Sequence, residues 1–496
     1  MHAVRTLVTV SFAAAMAVGS VDSDTDHGAQ NSTSNLLTRD VTIIGGGVTG
    51  SYAATWLHDK GYSFVVVEKQ SNLGGHTQTY IDPVSGVAIE YGNVFFQDTP
   101  RMRDYMRRYN VSFSRIPPIN DPNHAIRYYD FKSGQEVNFE PPPGQAVQDS
   151  LDRWAEMVET NFSYLDRGYY LPDQVPDDLM ISFVDFVNMH SLGDMLNIAF
   201  QIGQGYGDFL RVPTLYAAKI LSPALVRQSK QRSMLITPNN GLLYRRSEAE
   251  FSKRDSLLLS STISKFNRSV DQEGYMSLWV ETTGGGNTTA KRVTKIRTRK
   301  LLLTIPPPSA LEPGFGPSEE EKRLFSRFSC NHYWAGVVRG AKLPSLELQN
   351  CDRSNQGSVP SMPGIYVFES TPSPDLHTFW YGAQAGARNQ TPAGIRTEVL
   401  GAIQRLRRAT GDVSADESRV QLAAVGDYSP FACMVDGTSI KEGFYKQLYR
   451  LQGVGNVWWT GAAWHTHDAS LLLEFTSDVL ANMTGGGKCQ GHWPCA

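Results

Sequence analysis

The chain has 496 residues, of which 41% are hydrophobic and 19% are charged, and its formal net charge is −3. This length exceeds what one ordinary hydrophobic core supports, so two or more domains are expected. The slightly acidic balance excludes the basic surface that nucleic-acid binding needs, and the composition is that of a globular enzyme.

The N-terminus is predicted to be a secretory signal peptide over residues 1–20. Arg5 precedes an apolar run, Leu7 to Val18, which small residues follow, and this order is typical of such peptides. A membrane anchor is the alternative, but the run is too short to span a bilayer, so no stable membrane insertion is expected. Residues 21–38 are polar and lack periodicity, which indicates a flexible leader. The protein is therefore expected to be secreted or to lie in the lumen of the secretory pathway.

The strongest pattern is that of a dinucleotide-binding βαβ unit. An apolar strand, 41–44, runs into a glycine triad and a helix, and a second strand, 64–67, ends in Glu68. The triad consists of Gly45, Gly47 and Gly50. In such units the glycines allow a tight turn, close approach of backbone to a pyrophosphate, and close helix–strand packing, while the acid accepts hydrogen bonds from a ribose. The combination predicts a dinucleotide cofactor, and a glycine-rich surface loop is the alternative.

Helical spacing dominates the stretch from about residue 146 to residue 229. Large apolar residues recur there at helical intervals: Trp154, Met157, Val158 and Phe162, then Phe183, Phe186 and Val187. We interpret these residues as packing residues first, with the lining of a pocket as the second option.

Strand patterns return after a helix that begins near Asn240. They cover 257–263, the hairpin arm 275–280, the buried strand 301–305 before three prolines, and the segments 333–338 and 365–368. The last block is a strand that ends at Gly461, followed by a helix from Ala469 to Met483. Asp468 stands in the N-cap position of that helix.

The asparagine and cysteine patterns agree with secretion. N-glycosylation sequons begin at Asn31, Asn110, Asn161, Asn267, Asn287, Asn389 and Asn482, so a glycoprotein is expected. The chain has 5 cysteines, and we pair Cys330 with Cys351 and Cys489 with Cys495, an assignment that sequence alone does not prove. Cys433 is left over, and we interpret it as a buried small apolar residue.

These blocks together resemble the flavin-containing amine oxidase superfamily from about Asp40 to Met483. The motifs that carry the resemblance are the glycine triad, Glu68 with Gly74-Gly75, the strand 299–306 and the closing segment 461–479. The resemblance implies an α/β fold in which a Rossmann-like FAD-binding domain, assembled from three segments, carries an inserted α+β substrate domain. The expected segments are 39–120, 236–310 and 426–486 for the FAD-binding domain, 121–235 and 311–425 for the substrate domain, and 487–496 for a C-terminal tail.

Three shorter motifs resemble those of a fungal secreted subgroup typified by β-cyclopiazonate dehydrogenase, an FAD-dependent oxidocyclase. They are Gly74-Gly75-His76-Thr77, Glu90-Tyr91-Gly92 and Lys441-Glu442-Gly443-Phe444-Tyr445. This likeness implies oxidative chemistry on a secondary metabolite, with or without ring closure.

The resemblance also implies where FAD would lie. The pyrophosphate would be held by Gly45, Gly47 and Gly50, the adenosine ribose by Glu68, and the phosphates would lie above Gly74 and Gly75. The backbone around Ile263 would contact adenine. Gly461 and the helix N-terminus at Ala469 would face the phosphates and the flavin pyrimidine ring, where a helix dipole stabilises the charge of a reduced flavin.

One departure from the family pattern concerns the residue after the second glycine pair. The family usually has Arg there, whereas this chain has His76, which cannot offer a permanent cationic fork to phosphate. An imidazole is, however, a nucleophile that can bond covalently to the flavin 8-methyl carbon. The alternatives are a covalent tether at His76 or a hydrogen-bonded histidine near the flavin edge, with Cys433, His465 and His467 as weaker tether candidates.

A second departure concerns catalysis. Amine oxidases of this family commonly place a Lys near flavin N5, but the corresponding strand, 331–337, has none, which argues against simple amine-oxidase activity. His465 or His467 could accept a substrate proton, and the alternative is that both histidines shape their loop. No metal site is expected, because a third ligand is not visible beside these histidines.

Taken together, the sequence predicts a secreted FAD-dependent oxidoreductase that acts on an amine- or indole-containing small molecule, with O2 as the electron acceptor. A flavin desaturase or isomerase for a neutral, lipid-like substrate is the second hypothesis. A non-catalytic secreted binding protein with an empty FAD site is the third. The oligomeric state is not predicted.

Overall fold

The computed structural model describes residues 35–116, 126–283, 291–409 and 420–486. Its strands, in chain order, are β1 Asn35–Ile44, β2 Phe64–Val67, β3 Thr79–Ile81, β4 Ala88–Glu90, β5 Ser114–Arg115, β6 Ile126–Tyr129, β7 Leu235–Ile236, β8 Leu257–Leu258, β9 Ser261–Asn267, β10 Met276–Thr283, β11 Lys291–Leu303, β12 Ser329–Arg339, β13 Glu347–Asn350, β14 Gly364–Ser370, β15 Leu376–Ala383, β16 Gln421–Asp427, β17 Phe431–Met434 and β18 Val457–Trp459. Its helices are α1 Val48–Asp59, α2 Pro100–Arg108, α3 Gly144–Phe162, α4 Phe183–Met189, α5 Leu196–Ile202, α6 Thr214–Ile220, α7 Pro223–Lys230, α8 Gly241–Ser252, α9 Glu319–Phe325, α10 Pro392–Ala409, α11 Gly437–Lys441, α12 Phe444–Tyr449 and α13 Ala469–Met483.

The first sheet carries the dinucleotide-binding pattern. In the described part of the chain its order is β8-β2-β1-β11-β10-β9, and β18 pairs with β11. The strands β8, β2, β1, β11 and β18 are parallel, whereas β10 and β9 are added antiparallel. Every residue of β2 is buried, as expected for a parallel strand that is covered on both faces. The predicted α/β, Rossmann-like arrangement is confirmed.

The first strand begins earlier than the apolar pattern indicated. β1 starts at Asn35 and pairs with β11 from Asn35↔Thr294 to Ile44↔Leu303, so residues 35–38 are not part of a flexible leader. The prediction failed because side chains in this half of β1 are largely exposed, and backbone pairing does not require an apolar side chain. The signal peptide and the rest of the leader lie outside the described residues.

Several other predicted elements are confirmed. The closing helix α13 spans the predicted residues, and the Asp468 side chain accepts a hydrogen bond from Leu471 N at its start. The segments 333–338 and 365–368 lie in β12 and β14. The segment 257–263, predicted as one strand, is divided into β8 and β9, because Ser260 adopts a left-handed conformation with φ 48°.

The helical stretch packs around Trp154 as its spacing predicted. The Trp154 ring is fully buried, and it makes edge contacts with Phe183 and Phe186 at centroid distances of 5.4 and 5.5 Å. Its indole N–H donates to the carbonyl of Leu221 at 2.9 Å. These residues are therefore packing residues, as the first of the two interpretations of this region predicted.

A second sheet is built from distant parts of the chain. Its order among the described strands is β16-β12-β15-β14-β13-β6, and β17 pairs with β12. The apolar residues of α10 pack on one face in their own cluster, while Val337, Tyr366 and Trp380 on this sheet share a core with β1 and β2. Because β17 belongs to this sheet, its strands continue past residue 425, the expected limit of the substrate domain. Both sheets belong to one compact unit that begins at Asn35.

The predicted pairing of Cys330 with Cys351 is wrong. Cys330 forms a disulfide with Cys433, across 103 positions of sequence, because β12 and β17 are neighbours with Asn331 opposite Phe431. Cys351 follows β13, on the far side of β15 and β14, and it is a buried free thiol. Cys433 is therefore not a left-over residue. The predicted pair Cys489–Cys495 lies outside the described residues.

No helix in the described ranges has the length and apolar character needed to cross a membrane.

Candidate cofactor and active site

The carboxyl ends of β1, β11 and β18 meet at one edge of the first sheet. Ile44 is opposite Leu303, and Leu303 is opposite Trp459. The next residue after β11, Thr304, ties this edge together, because its hydroxyl donates to the carbonyls of Ile44 and Gly45 at 3.0 and 3.1 Å. In open α/β sheets ligands bind in the crevice outside such strand ends.

Two glycines of the triad, Gly45 and Gly50, lie so close to this edge that side chains would not fit. Gly45 has φ +103°, and a Cβ on it would lie 2.5 Å from the Thr304 hydroxyl; a Cβ on Gly50 would lie 1.9 Å from the Gly45 carbonyl oxygen. Helix α1 then begins at Val48, and its N-cap residue Gly47 provides no side-chain cap. The first amides of α1 therefore remain available to an anionic ligand such as a pyrophosphate.

The predicted second glycine pair lies beside the triad. Gly74 N donates to the carbonyl of Gly46 at 2.9 Å. A Cβ on Gly75 would lie 2.9 Å from the Cα of Gly47, so the two backbones approach without side chains between them. The structure thus brings together both glycine motifs in one backbone-lined cradle, which we call the glycine cradle.

Glu68 lies at the end of β2, next to the glycine cradle. Its buried carboxylate accepts hydrogen bonds from Gly46 N at 2.6 Å and from Gln70 N at 2.7 Å. A carboxylate has about four acceptor positions, so these amides orient Glu68 and leave acceptor capacity for ribose hydroxyls. The residues present therefore fit the pyrophosphate and ribose of a dinucleotide.

The predicted adenine contact, Ile263, lies in β9 of the first sheet. Ile263 pairs with Val280 in the antiparallel ladder, and a Cβ on Gly314 would lie 2.4 Å from the Ile263 carbonyl oxygen. Ser261, at the start of β9, donates its amide to the carbonyl of Glu68 at 2.9 Å. The start of β9 is thus tied to the end of β2, and the adenine contact at Ile263 stays a prediction.

The closing motif approaches the same sheet edge, and a carboxylate lies at the start of its helix. Gly461 has φ +117° and lies against the carbonyl of the residue after β11. Helix α13 begins at Ala469, but Asp468 already occupies its N-terminus. The Asp468 carboxylate accepts from Leu471 N and from the side-chain amide of Gln97, both at 2.9 Å. This carboxylate satisfies part of the helix end and offsets its positive dipole.

Aromatic side chains from the second sheet, from the helical region and from loops that follow strands of the first sheet meet at the residue after the second glycine pair. We call this set the aromatic cluster, and its members are His76, Tyr206, Tyr333, Tyr428, Phe431 and His467. The Phe431 and His467 rings lie 3.9 Å apart, and the His76 and His467 rings are parallel within 7° at 6.2 Å. The cluster therefore begins where the glycine cradle ends.

His76 presents a neutral and accessible imidazole. The residue is exposed, although its ring lies among Tyr428, Phe431 and His467. Desolvation by the surrounding protein, together with the charge of Lys69, lowers the pKa of His76 to about 4. A neutral imidazole keeps one nitrogen lone pair that can act as a nucleophile.

The two histidines of the closing motif have different surroundings. His465 is buried, its Nε2 lies 3.1 Å from the carbonyl of Asp166, and its ring contacts Phe475. His467 lies in the aromatic cluster, and its Nε2 accepts a hydrogen bond from Ala432 N at 3.0 Å. Burial lowers the pKa of both residues, that of His467 to about 3. His465 therefore holds a turn, and its placement does not support proton transfer with a substrate.

A buried lysine exists, but not on the strand where the family pattern places one. Lys219 of α6 donates to the carbonyls of Leu165 and Gly168, and burial lowers its pKa to about 7. On β12, Asn331 instead holds the backbone at Gly205 and Ala385. We interpret Lys219 as a cap for the turn Ser163–Arg167, since a cation is favourable near a helix C-terminus.

Our sequence predictions did not include two features of the site, Thr304 and the segment around Phe431. They also did not include the buried Lys219. The signal for Thr304 was present, because it ends the third parallel strand just before the prolines. Phe431 and Lys219 carry no local signal, since their contacts join distant segments. In the ranges that the structure describes, no group of three or more metal-ligating side chains occurs.

The fold and cradle define a flavoprotein-type dinucleotide-binding enzyme, and comparisons with known proteins agree. The model of the NAD(P)-binding Rossmann-like domain matches residues 43–109. The FAD-dependent oxidoreductase pigF of Monascus ruber is 32% identical over 472 residues, 94% of this chain and 95% of that protein. β-Cyclopiazonate dehydrogenase of Aspergillus flavus is 30% identical over 454 residues, covering 90% of this chain and 94% of that protein.

Solved structures share the fold at low sequence identity. A fatty acid isomerase from P. acnes has a TM-score of 0.67 and 16% identity, covering 90% of this chain and 98% of its own. Cyclohexylamine oxidase from Brevibacterium oxydans has a TM-score of 0.58 and 17% identity, covering 90% and 99%. The chain thus belongs to the family of FAD-dependent oxidoreductases. Within that family it is similar to β-cyclopiazonate dehydrogenase, and it has an amine oxidase-like fold.

Proposed function

We propose that the protein is a secreted oxidoreductase that uses FAD to dehydrogenate an amine- or indole-containing small molecule, with or without oxidative ring closure. O2 is the proposed electron acceptor. The observation that carries the proposal is the junction of the glycine cradle with the aromatic cluster at His76. A cofactor in the cradle would meet a recess whose aromatic walls suit a flat ring system. The relative β-cyclopiazonate dehydrogenase supports a secondary metabolite as the substrate.

Bound FAD would supply the acceptor for a hydride equivalent from a C–H bond beside nitrogen. The chain's own residues have separate tasks. The first amides of α1 would hold the pyrophosphate, Glu68 would hold the ribose, and Thr304 would keep the strand ends in register. Tyr333, Tyr428 and Phe431 would orient the substrate and exclude water. Of the two predicted catalytic histidines, His467 lies in the aromatic cluster, and we assign the substrate-facing role to it.

We further propose that His76 tethers FAD covalently through the 8-methyl carbon. The support is a neutral, accessible imidazole directly after the glycine cradle. The new C–N bond would replace a methyl C–H bond and the imidazole N–H bond, and the two electrons and two protons released would pass to O2 to give H2O2. A His76→Ala variant, which retains the cradle, is the matched control.

The test of cofactor and tether begins with protein purified from a secreting host. We expect a yellow protein with flavin absorption, and after acid precipitation a yellow pellet. The His76→Ala variant should leave the yellow colour in the supernatant. A colourless, folded protein that does not bind added FAD would contradict the proposal as a whole, whereas a yellow supernatant from the wild type would contradict the tether alone.

The test of the reaction uses a panel of secondary and tertiary amines and indoles. We expect substrate-dependent peroxide release with at least one member of the panel, and no release after substitution of Phe431 by Ala. A flavin desaturase or isomerase for a neutral, lipid-like substrate is the second candidate. It is favoured by β12, Ser329–Arg339, which has no Lys. Flavin that stays oxidised with every amine while a lipid is converted would support it.

Secretion with N-glycosylation is part of the proposal. The sequon residues Asn110, Asn161, Asn267 and Asn389 are exposed, so glycans there would not disturb the core, whereas Asn482 is half-buried. Asn31 and Asn287 lie outside the described residues. Treatment with an N-glycosidase should lower the mass of the secreted protein, and an unchanged mass would contradict glycosylation.

A further inference from the structure

The segment Ser429–Met434, which we call the strap, lies against the aromatic cluster. We infer that the strap, held by the disulfide Cys330–Cys433, fixes His467 as a neutral imidazole with its proton on Nδ1. In this form His467 acts as a hydrogen-bond donor and not as a base. The inference about donation rests on the proposed function. The residues Cys330, Ala432 and Cys433 are positioning residues in this arrangement, because they act through His467.

The tautomer follows from the direction of one hydrogen bond. The donor is the backbone amide of Ala432, and the acceptor is Nε2 of His467 at 3.0 Å. An amide N–H can only donate, so Nε2 must offer its lone pair and cannot carry a proton. In a neutral imidazole the proton is then on Nδ1.

The other ring nitrogen is free to donate. Within the described ranges, Nδ1 of His467 has no hydrogen-bond partner. Nδ1 is also not fully buried, since it is not among the buried side-chain atoms without a partner. The residue as a whole is half-buried. Nδ1 therefore keeps accessible surface, and its N–H can donate to an oxygen or nitrogen of a molecule bound beside the cluster.

The groups that face His467 oppose its protonation. The His76 ring lies parallel to it, the Tyr206 ring meets it edge-on at 5.9 Å, and Phe431 covers it. The neighbouring Asp468 carboxylate is engaged with the start of α13 and with Gln97. A proton on Nε2 would also face the Ala432 N–H. Burial and the nearby His76 keep the pKa of His467 at about 3.

The position of the Ala432 amide depends on the strap. Ala432 has φ 42°, a left-handed conformation that costs an alanine about 1 kcal/mol and needs support from its surroundings. That support comes from both sides: Phe431 pairs with Asn331 of β12, and Cys433 is bonded to Cys330 of the same strand. Without the disulfide the strap, and Phe431 with it, would be free to move away from His467. The Ala432 amide would then leave Nε2, and the burial that lowers the pKa of His467 would weaken, so the pKa would rise toward its ordinary value of 6.5.

The test is a histidine titration by NMR on the full-length protein as purified. Uniform 15N-histidine labelling reports which ring nitrogen carries the proton, and a His467→Gln spectrum assigns the signal. In the wild type we expect the Nδ1–H form, unchanged from pH 7 to pH 5. In the double variant C330S/C433S we expect a titrating signal whose proton affinity is higher by at least about 100-fold.

The matched control is Cys351→Ser, which removes a buried thiol far from the strap and should leave the His467 signal unchanged. Nε2–H in the wild type would overturn the inference, whatever happens to the variants. An unchanged tautomer and titration in C330S/C433S would overturn the role of the disulfide. If the double variant does not fold, the wild-type tautomer still decides the first part, and the single variant Cys433→Ser decides the second.

A kinetic readout separates positioning from mere stabilisation. With the flavin loaded and a substrate in hand, the reduction rate of the wild type should show no ionisation of His467 between pH 5 and pH 7, whereas C330S/C433S should acquire one. A disulfide that only stabilises the fold would lower the melting temperature and leave this profile unchanged. Failure of the proposed function would appear differently, as a protein without flavin that nevertheless has the Nδ1–H tautomer.

Discussion

The glycine cradle and the aromatic cluster are adjacent but are built in opposite ways. The cradle is made of backbone, with glycines that mostly leave no room for a Cβ and with the first amides of α1, and the oriented carboxylate of Glu68 lies next to it. The cluster is made of side chains, with rings contributed by loops after β2 and β18, by the helical region and by the second sheet. The first region suits a fixed, polar cofactor, whereas the second can be re-shaped for a different substrate by changing single residues. Variants in the two regions should therefore fail in different ways.

The largest effect on cofactor binding is expected from Gly50→Ala in the cradle. The new Cβ would lie 1.9 Å from the Gly45 carbonyl oxygen, so the loop must move, and we expect FAD affinity to fall by at least about 100-fold. The ratio of flavin to protein absorbance measures this. Gly144→Ala, at a glycine with no atom near the added Cβ, is the control. Full flavin occupancy in Gly50→Ala would contradict the assignment of the cradle.

Phe431→Ala is the corresponding variant in the aromatic cluster. The ring is 7% exposed and packs on His467, so we expect a loss of about 3–4 kcal/mol in the free energy of unfolding. The protein should nevertheless bind FAD, because no cradle residue is changed. Denaturant unfolding and flavin titration measure the two properties, and loss of FAD binding at full stability would break the distinction between the regions.

Glu68→Gln tests whether the carboxylate next to the cradle holds the ribose of FAD. A glutamine amide would place an N–H₂ group near the donors Gly46 N and Gln70 N, leaving one of them without an acceptor. A hydrogen bond to a charged group contributes about 1.5–3 kcal/mol, so we expect FAD to bind roughly 10- to 100-fold more weakly. Fluorescence titration of cofactor-free protein measures this, and an unchanged affinity would exclude ribose binding at Glu68.

The stability of the cluster should depend on pH more than that of the cradle. The pKa values of His76 and His467 in the folded protein are about 4 and about 3, below the ordinary 6.5. Between these values and 6.5 the unfolded chain binds more protons, so stability is complete above pH 6.5 and falls as the pH is lowered. Melting temperatures from pH 7.5 to pH 4 measure this, and the decline should be shallower in His467→Gln.

The smallest effect is expected from Thr304→Val. The substitution removes a hydroxyl that donates to the carbonyls of Ile44 and Gly45 and keeps the shape of the side chain. We expect a loss of about 1 kcal/mol in unfolding free energy. Differential scanning calorimetry would detect it, and a larger loss would mean that Thr304 does more than join the strand ends.

The sequence predicted the cradle well because its determinants are local. A strand, a glycine triad, a helix and an acid follow one another within a single unit, and each has one conformational task. The Cys330–Cys433 disulfide and the strap could not be predicted in this way, since they depend on which strands are neighbours in the second sheet. Pairing Cys330 with the nearer Cys351 favoured short sequence separation over sheet order.

The surroundings of other predicted site residues also depend on distant segments. The prediction of Ile263 as the adenine contact rests on a family position, and the local pattern did not show that β9 begins at Ser261 after a left-handed Ser260. His465 and His467 are equivalent in the sequence, and their surroundings alone distinguish a turn-holding residue from one in the cluster.

The thiol of Cys351 offers a practical consequence. It is 1% exposed, and burial raises its pKa to about 11, so little of it is in the reactive thiolate form at neutral pH. An alkylating reagent should therefore modify this position when β13 and its neighbours separate. Mass spectrometry of the peptide that contains Cys351 would then give the rate of alkylation, which reports how often the second sheet opens in the native protein. A bound cofactor or substrate should lower this rate if it contacts both sheets.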